Sequence, residues 1–122
     1  MASETVRVVC VDKRAYELRH RPWRNEIIAV SPNPSDEVRD KRFSRKLREN
    51  LHGTGFGYDS RWQTFKVDGF EQISFAVFSI PPRLRGRHLS AEVMLDTLEA
   101  RFRQSFREPV VSRSPRATLV AA

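Results

Sequence analysis

A two-residue Asp-Gly step, Asp68-Gly69, lies between two runs of alternating residues and constrains the fold more than any other feature. Aspartate followed by glycine adopts the positive backbone angles of the tight turn between neighbouring antiparallel strands. The runs from Arg61 to Val67 and from Phe70 to Ile80 therefore predict a β-hairpin. The core of the protein must include an antiparallel sheet.

Further strands are predicted in the N-terminal third of the chain. Residues 5–12, Thr-Val-Arg-Val-Val-Cys-Val-Asp, are β-branched and almost continuously apolar, which favours a strand. A turn at 12–14 would continue it as a hairpin into residues 15–20. Residues 26–31 predict another short strand after a break at 21–24.

Two helices complete the prediction. Asn33, Pro34 and Ser35 precede two acidic residues, a typical helix start, and this helix is expected to run to about Leu51. Ser90 is expected to cap a second helix that extends over residues 91–106. The predicted fold class is α+β: one antiparallel sheet with two main helices on one face, in the order strand, optional strand, strand, helix, two strands, helix.

Length and composition predict one domain over residues 1–106 and a mobile basic tail over residues 107–122. The single cysteine, Cys10, excludes an intrachain disulfide and is expected to be a small buried residue. No apolar run approaches the ~20 residues that span a bilayer, and the N-terminus lacks the apolar core of a signal peptide. We therefore expect a soluble intracellular domain with no membrane partner.

The charge excess consists almost entirely of arginine. The chain has 22 Lys+Arg against 15 Asp+Glu, a net charge of +7, and 18 of the 22 basic residues are arginine. The guanidinium fork suits bidentate phosphate binding, which favours a nucleic-acid ligand. The same excess also fits a soluble protein from a genome that favours arginine codons, so the placement of the charges has to decide.

The first predicted helix separates its charges from its apolar residues. Phe43, Leu47 and Leu51 share one face, and a basic stripe lies nearly opposite. The stripe consists of Lys41, Arg45, Arg48 and His52. A solvated face usually mixes both signs, so this stripe favours phosphate contact over simple solubility.

The second predicted helix has a broad apolar stripe, which indicates packing against the core or against another subunit. Its acidic residues, Glu92, Asp96 and Glu99, are expected on the outside, and Arg103 is placed to pair with Glu99 four residues earlier. The two candidate dimer interfaces are this helix and the exposed edge of the strand at 70–80.

Strict alternation in the strand at 70–80 predicts two different faces. Ile73, Phe75 and Val77 are expected in the core. The other face would carry small or neutral hydrogen-bonding groups over which duplex RNA can approach closely, namely Gln72, Ser74, Ala76 and Phe78. The alternative is an ordinary half-exposed strand.

Trp23 lies among polar and basic residues and is a plausible base-stacking group, or else a lid on the sheet edge, whereas Trp62 is expected in the core. The three histidines have no metal-ligand spacing, and no catalytic residue, metal or cofactor is predicted. Asp59, Asp68 and Glu71 are the residues of a less favoured alternative, a metal-dependent nuclease.

Three short motifs resemble the tombusvirus and aureusvirus family of RNA-silencing suppressors, and they occur in the same order. Residues 69–73, Gly-Phe-Glu-Gln-Ile, resemble the family's Gly-Phe-Asp-Gln-Ile. Residues 43–48, Phe-Ser-Arg-Lys-Leu-Arg, are similar to its Phe-Lys-Arg-Tyr-Leu-Arg, and Trp23-Arg24 is similar to its end-stacking Trp-Arg. The resemblance covers residues 23–106, and the small size is closer to the aureusvirus members.

The resemblance implies a homodimer in the host cell cytoplasm that holds duplex RNA, including small interfering RNA, across a concave sheet. By this resemblance Gln72 contacts the RNA backbone, Arg45 and Arg48 clamp phosphates, and Trp23 stacks on the terminal base pair. With the charge pattern, the predicted RNA-binding set is Trp23, Arg24, Lys41, Arg45, Arg48, Gln72 and Ser74.

The sequence also departs from the family. Ser44 replaces its first clamp lysine, the strand contains one extra residue, and only one of its two tryptophans is matched. We therefore expect duplex binding that tolerates different lengths. The alternative function is a non-enzymatic interaction module or ribonucleoprotein assembly subunit with a basic surface.

Overall fold

The computed structural model describes residues 4–84 and 90–106, which form an α+β structure with one antiparallel sheet, as predicted. The predicted tail at 107–122 lies outside the described residues. The strands are β1 (Thr5–Val11), β2 (Arg14–Arg21), β3 (Glu26–Ser31), β4 (Gly57–Asp59), β5 (Gln63–Val67) and β6 (Phe70–Ser79). The helices are α1 (Asp36–Arg39), α2 (Lys41–Asn50) and α3 (Ala91–Gln104), with 3-10 turns at Pro22–Arg24 and Pro82–Leu84.

The sheet has the strand order β1-β2-β3-β6-β4, and β5 pairs with the same edge of β6 as β4 does. Both predicted hairpins are confirmed. The turn between β5 and β6 has φ values of 52° at Asp68 and 84° at Gly69. The turn between β1 and β2 uses positive φ at Asp12 and Lys13. The short β4 was not predicted, because three residues are too few to give a periodic signal.

The predicted helix ending near Leu51 is divided in two at Asp40. Asp40 has an extended backbone, and its carboxylate accepts a hydrogen bond of 2.8 Å from the Arg42 amide, which caps α2. Ser35 precedes α1 without a capping side-chain bond. Aspartate forms such local bonds more readily than it continues a helix, which explains the break. The predicted Ser90 cap of α3 is confirmed.

The main core lies between the helices and one face of the sheet. Its centre is a cluster of aromatic rings with centroid distances of 4.9 to 6.2 Å, mostly edge-on or tilted. The rings belong to Tyr16, Phe43, Phe75, Phe102 and Phe106. The apolar stripe of α3 is therefore buried inside the protomer, which confirms the predicted alternative of core packing for this stripe.

A β-bulge at Phe75 corrects the predicted faces of β6. Ala29 pairs with Ala76, but the next residue, Val30, pairs with Ser74, so Phe75 is an additional residue. Phe75 contacts helix-side rings, and Ala76 belongs to the same core cluster. Phe78 is likewise in the main core and not on the RNA-facing side that strict alternation predicts.

The opposite side of the sheet, which we call the open face, carries a small apolar cluster of Ile28, Val30 and Val77. Val77 therefore lies on this side of the sheet, whereas strict alternation predicts it on the helix side with Phe75. Val30 is fully buried although none of the described helices packs here. Neighbouring side chains of the sheet itself, Phe65 among them, cover it.

Arg7 fixes α3 above β1. Its guanidinium lies 2.6 Å from Glu92, 2.8 Å from Asp96 and 2.7 Å from Glu99. These hydrogen bonds, led by that to Glu99, raise the pKa of Arg7 above its ordinary value. The negative charges of α3 therefore pair with the positive charge of Arg7 on β1. The predicted pair of Arg103 with Glu99 is confirmed at 3.0 Å.

Among the described strands, the sheet edges that are available belong to β1 and to β4 and β5, and not to β6 as predicted. On one side of β6, β3 pairs with residues 73–79, and on the other side β4 and β5 pair with it. Within the described residues, β1 pairs only with β2, and Val6 and Val8 on it are exposed. Cys10 is exposed as well, so its predicted burial is wrong: its strand lies at the edge and its side chain points to the open face.

Phe102→Ala tests the aromatic core. Its ring is fully buried and contacts four other rings, so the substitution is expected to lower the free energy of unfolding by about 3–5 kcal/mol in urea denaturation. Val93→Ala, on the exposed side of α3, is the control and should change it by less than about 0.5 kcal/mol. Equal effects of the two substitutions would contradict the assigned core.

Candidate nucleic-acid interface

The exposed side of α2 presents basic side chains for which the described residues supply no acidic partner. Lys41, Arg45, Lys46 and Arg48 are exposed, and none forms an ion pair within the part of the chain that the structure describes. Phe43 and Leu47 bury the other side of the helix, which sets this orientation. The predicted residues Lys41, Arg45 and Arg48, together with Lys46, thus form one accessible surface, the α2 basic surface.

Arg42 is on the same helix but differs from these four residues. Its guanidinium binds the Asp40 carboxylate at 2.9 Å. This hydrogen bond and the charge of Asp40 raise the pKa of Arg42 above its ordinary value. Arg42 therefore has a carboxylate partner on its own helix that competes with a phosphate group.

Arg48 is held in position by Tyr58 of β4. The guanidinium carbon lies 5.2 Å from the centroid of the tyrosine ring, a cation–π distance. The Tyr58 hydroxyl shares a hydrogen bond of 2.9 Å with Ser44. Ser44, the position at which the resembled family has a lysine, therefore anchors α2 to the sheet edge.

Trp62 is not a core residue, contrary to the prediction. Its side chain is 40% exposed, with one side near Phe75 and Arg39 at 4.9 Å from the ring centroid. Trp62 lies just before β5, at the edge of the sheet, so no further described strand covers its ring on that side. Exposed and stacked on an arginine, it adds an aromatic group to the basic edge.

A second group of basic residues surrounds a cleft of about 180 Å³ on the open face. Arg21, Arg24 and Arg61 line it together with Gln63 and Ser74. The remaining lining residues are Glu26, Ile28, Phe65 and Val77. The predicted Arg24 and Ser74 are thus brought together. Since Ser74 is only 5% exposed, a ligand must enter the cleft to reach its hydroxyl.

Trp23 lies next to the cleft in the 3-10 turn at Pro22–Arg24 and is 54% exposed, as its polar surroundings predict. Arg21 lies 5.5 Å from its ring centroid. Asn25 closes the turn in the left-handed conformation, which asparagine tolerates better than most residues. The ring is available for stacking beside a cluster of arginines.

Gln72 is on the open face, opposite Phe65 of β5. The residue is partly buried, and its Oε1 atom is buried without a hydrogen-bond partner among the described residues. This carbonyl is a free acceptor, but the amide has to turn outward before it can meet a 2′-hydroxyl of RNA.

The predicted RNA-binding residues therefore form two regions. Gln72, Ser74 and Arg24 belong to the open face, whereas the α2 basic surface belongs to the helix side. The sheet edge connects the regions, because Arg61 lines the cleft and the adjacent Trp62 contacts Arg39. The structure does not bring all the predicted residues to one surface.

Sequence reasoning missed Arg21, Arg61 and Gln63 as cleft residues. Arg21 gave the only local signal, its position two residues before Trp23. Arg61 and Gln63 reach the cleft because β5 pairs with β6 at Ser74, a long-range contact.

A larger cavity of about 290 Å³ lies between α2 and the end of α3. It is lined by as many acidic as basic residues, namely Glu37, Asp40 and Glu49 against Arg42, Arg45 and Lys46. The described lining residues carry no net charge that would favour a phosphate.

The alternative nuclease site is not assembled. Among the residues that the structure describes, no group of three or more His, Cys, Asp or Glu is placed to hold a metal ion. Asp59 instead pairs with Arg61 at 3.1 Å, and Asp68 lies in the β5–β6 turn.

Burial lowers the pKa of His20 below its ordinary value, so this histidine adds no charge to the interface at neutral pH.

Comparison with known proteins gives no significant match to a family model, a curated protein or a solved structure. The resemblance to the viral suppressors therefore rests on the three short motifs alone. Within the described residues, no helix has both the length and the apolar character needed to cross a membrane.

Lys41→Gln and Arg45→Gln are expected to leave the free energy of unfolding within about 0.5 kcal/mol of the parent value, because both side chains are exposed and unpaired. Arg7→Gln, which removes the cation shared by three carboxylates and within the described residues leaves only Glu99 with another partner, Arg103, should cost clearly more. Urea denaturation of the three variants measures this. Destabilisation by Lys41→Gln or Arg45→Gln equal to that by Arg7→Gln would show that the α2 cations are structural.

Proposed function

We propose that this protein binds double-stranded RNA without sequence preference, mainly through its phosphate backbone. In this proposal it sequesters small interfering RNA and longer duplexes in the host cell cytoplasm and so suppresses RNA silencing. The observation that carries the proposal is the α2 basic surface, where four exposed cations have no acidic partner within the described residues.

Unpaired surface cations suit a phosphate backbone for an energetic reason. A paired arginine such as Arg42 loses an existing ion pair when it binds phosphate, whereas Arg45 and Arg48 have no ion pair within the described residues to lose. The helix holds these side chains at fixed spacing. It thereby limits the conformational entropy that phosphate binding costs.

Two observations favour duplex RNA over other polyanions. The open face offers neutral hydrogen-bonding side chains, Gln63, Gln72 and Ser74, which suit 2′-hydroxyls as well as phosphates. The strand that resembles the suppressor family's strand contains one residue more. The bulge at Phe75 accommodates one additional residue just after Gln72 and Ser74. These two side chains therefore still face the open side of the sheet.

The homodimer is part of the same proposal. Of the described strands, β1 offers an unpaired edge on which a second copy can extend the sheet, since it pairs only with β2, and the exposed Val6 and Val8 lie beside this edge on the open face.

A salt titration with matched duplexes tests the proposed ligand. The logarithm of affinity for duplex RNA should fall with the logarithm of salt concentration with a slope of about −3 or steeper, because each neutralised phosphate contributes about −0.9. Binding should be independent of sequence and tighter than to duplex DNA of the same length. Equal affinities for duplex RNA and DNA would exclude RNA recognition.

Arg45→Gln and Arg48→Gln test the α2 basic surface. Each should weaken duplex RNA binding by about tenfold, uniformly across sequences, and reduce the salt slope by about one. Arg42→Gln is the matched control, with the same change in charge on the same helix at an arginine already paired with Asp40. If Arg45→Gln and Arg48→Gln bind duplex RNA as tightly as the parent protein does, the surface is only a solvated face.

The second candidate function is a subunit of a protein or ribonucleoprotein assembly. The exposed Val6 and Val8 on the unpaired edge of β1 favour it, because such edges bind further strands. Free duplexes would then bind weakly, and Val8→Lys would abolish a stable protein complex without changing RNA affinity.

A further inference from the structure

The open-face cleft has more positive charge than its own carboxylate can neutralise. Three guanidinium groups, those of Arg21, Arg24 and Arg61, line it, and Glu26 is the only acidic residue among the lining residues described above. Of these arginines, only Arg24 belongs to a motif of the resemblance. The others reach the cleft through the chain fold.

The ion pairs in the cleft are long. Arg21 and Arg24 share a single oxygen, Oε2 of Glu26, at 3.5 and 3.4 Å. The three contacts of Arg7 with α3, by comparison, are 2.6 to 2.8 Å. One carboxylate oxygen at such distances cannot satisfy two guanidinium forks, which present five donors each. Donors of both lining arginines thus remain that Glu26 does not satisfy.

Arg61 is also available to a ligand. Its partner is Asp59 at 3.1 Å, and both side chains are more than half exposed, so the pair is weak. Asp59 is not a lining residue of the cleft, whereas Arg61 is. Turning from Asp59 toward an anion in the cleft therefore exchanges one exposed ion pair for a more enclosed one.

We infer that this cleft binds one phosphate group, and that Glu26 is an internal competitor that occupies the two arginines when phosphate is absent. A bound phosphate takes the place of Glu26 Oε2 on Arg21 and Arg24 and draws in Arg61. A tetrahedral phosphate has enough oxygens to accept from all three arginines, which a single carboxylate does not. The Gln63 amide and the Ser74 hydroxyl supply further donors at the cleft wall.

The inference deepens the proposed function and rests on it for the origin of the phosphate. On a duplex RNA, the group is either a backbone phosphodiester or the monoester at a 5′ end. The exposed Trp23 ring beside the cleft can stack on a terminal base pair, which fits a 5′-end monoester. The face of the sheet can lie along a duplex, which fits a backbone phosphodiester.

Inorganic phosphate added to the full chain tests the site directly. The side-chain Nε–H NMR signals of Arg21, Arg24 and Arg61 should shift with one common saturation curve, and Arg24→Gln should weaken binding at least fivefold. Glu26→Gln should strengthen it severalfold, because it removes the competing charge. Arg42→Gln is the control and should leave the curve unchanged. Unchanged or weaker binding by Glu26→Gln, or shifts confined to the arginines of α2, would overturn the inference.

Blunt duplex RNA with a 5′-phosphate or a 5′-hydroxyl then identifies the source. A preference for the phosphorylated duplex that Arg24→Gln removes supports the terminal monoester. Equal binding of both duplexes, weakened equally by Arg24→Gln, supports the diester.

The two proposals fail separately. If inorganic phosphate binds the cleft but no duplex binds the protein, the site stands and the proposed function does not. If duplexes bind normally while inorganic phosphate shifts none of the cleft arginines and Arg24→Gln has no effect, the function stands and the phosphate site does not.

Discussion

The β-bulge at Phe75 is the constraint on which both sides of the sheet depend. The additional residue lets Phe75 and Ala76 both face the helices, where Phe75 contacts Tyr16 and Phe102. It also places Ser74 and Val77 together on the open face, where they line the cleft. A shift of one residue exchanges the two faces of a strand, so without the bulge one of these environments would be lost.

The arginines of this chain serve two different purposes, and their partners distinguish them. Arg7 and the buried Arg19 are surrounded by carboxylates that hold α3 and the N-terminal strands together. Arg45 and Arg48 have no such partners within the described residues and remain available. The net charge of +7 alone therefore does not show which arginines are available to a ligand.

The α2 basic surface and the open-face cleft lie on different sides of the sheet, and their connection is the β4–β5 edge. Tyr58 holds Arg48 there, and Trp62 stacks with Arg39 one residue away from Arg61 of the cleft. A polyanion that follows this edge meets cations and aromatic rings in alternation. The strand pattern alone predicts a different geometry, in which the duplex lies against one flat face of the sheet.

The sequence by itself determined whatever depends on neighbouring residues: the turn at Asp68-Gly69, the Ser90 cap, the Glu99–Arg103 pair and the exposed basic side of α2. Only the tertiary structure decided which side of β6 each residue faces, that Trp62 and Cys10 are exposed, and that Arg21 and Arg61 meet at one cleft. The physical reason is range. Turns, caps and i,i+4 pairs are stabilised by local bonds, whereas a bulge, an edge strand and a cleft exist only through pairing between strands distant in the chain.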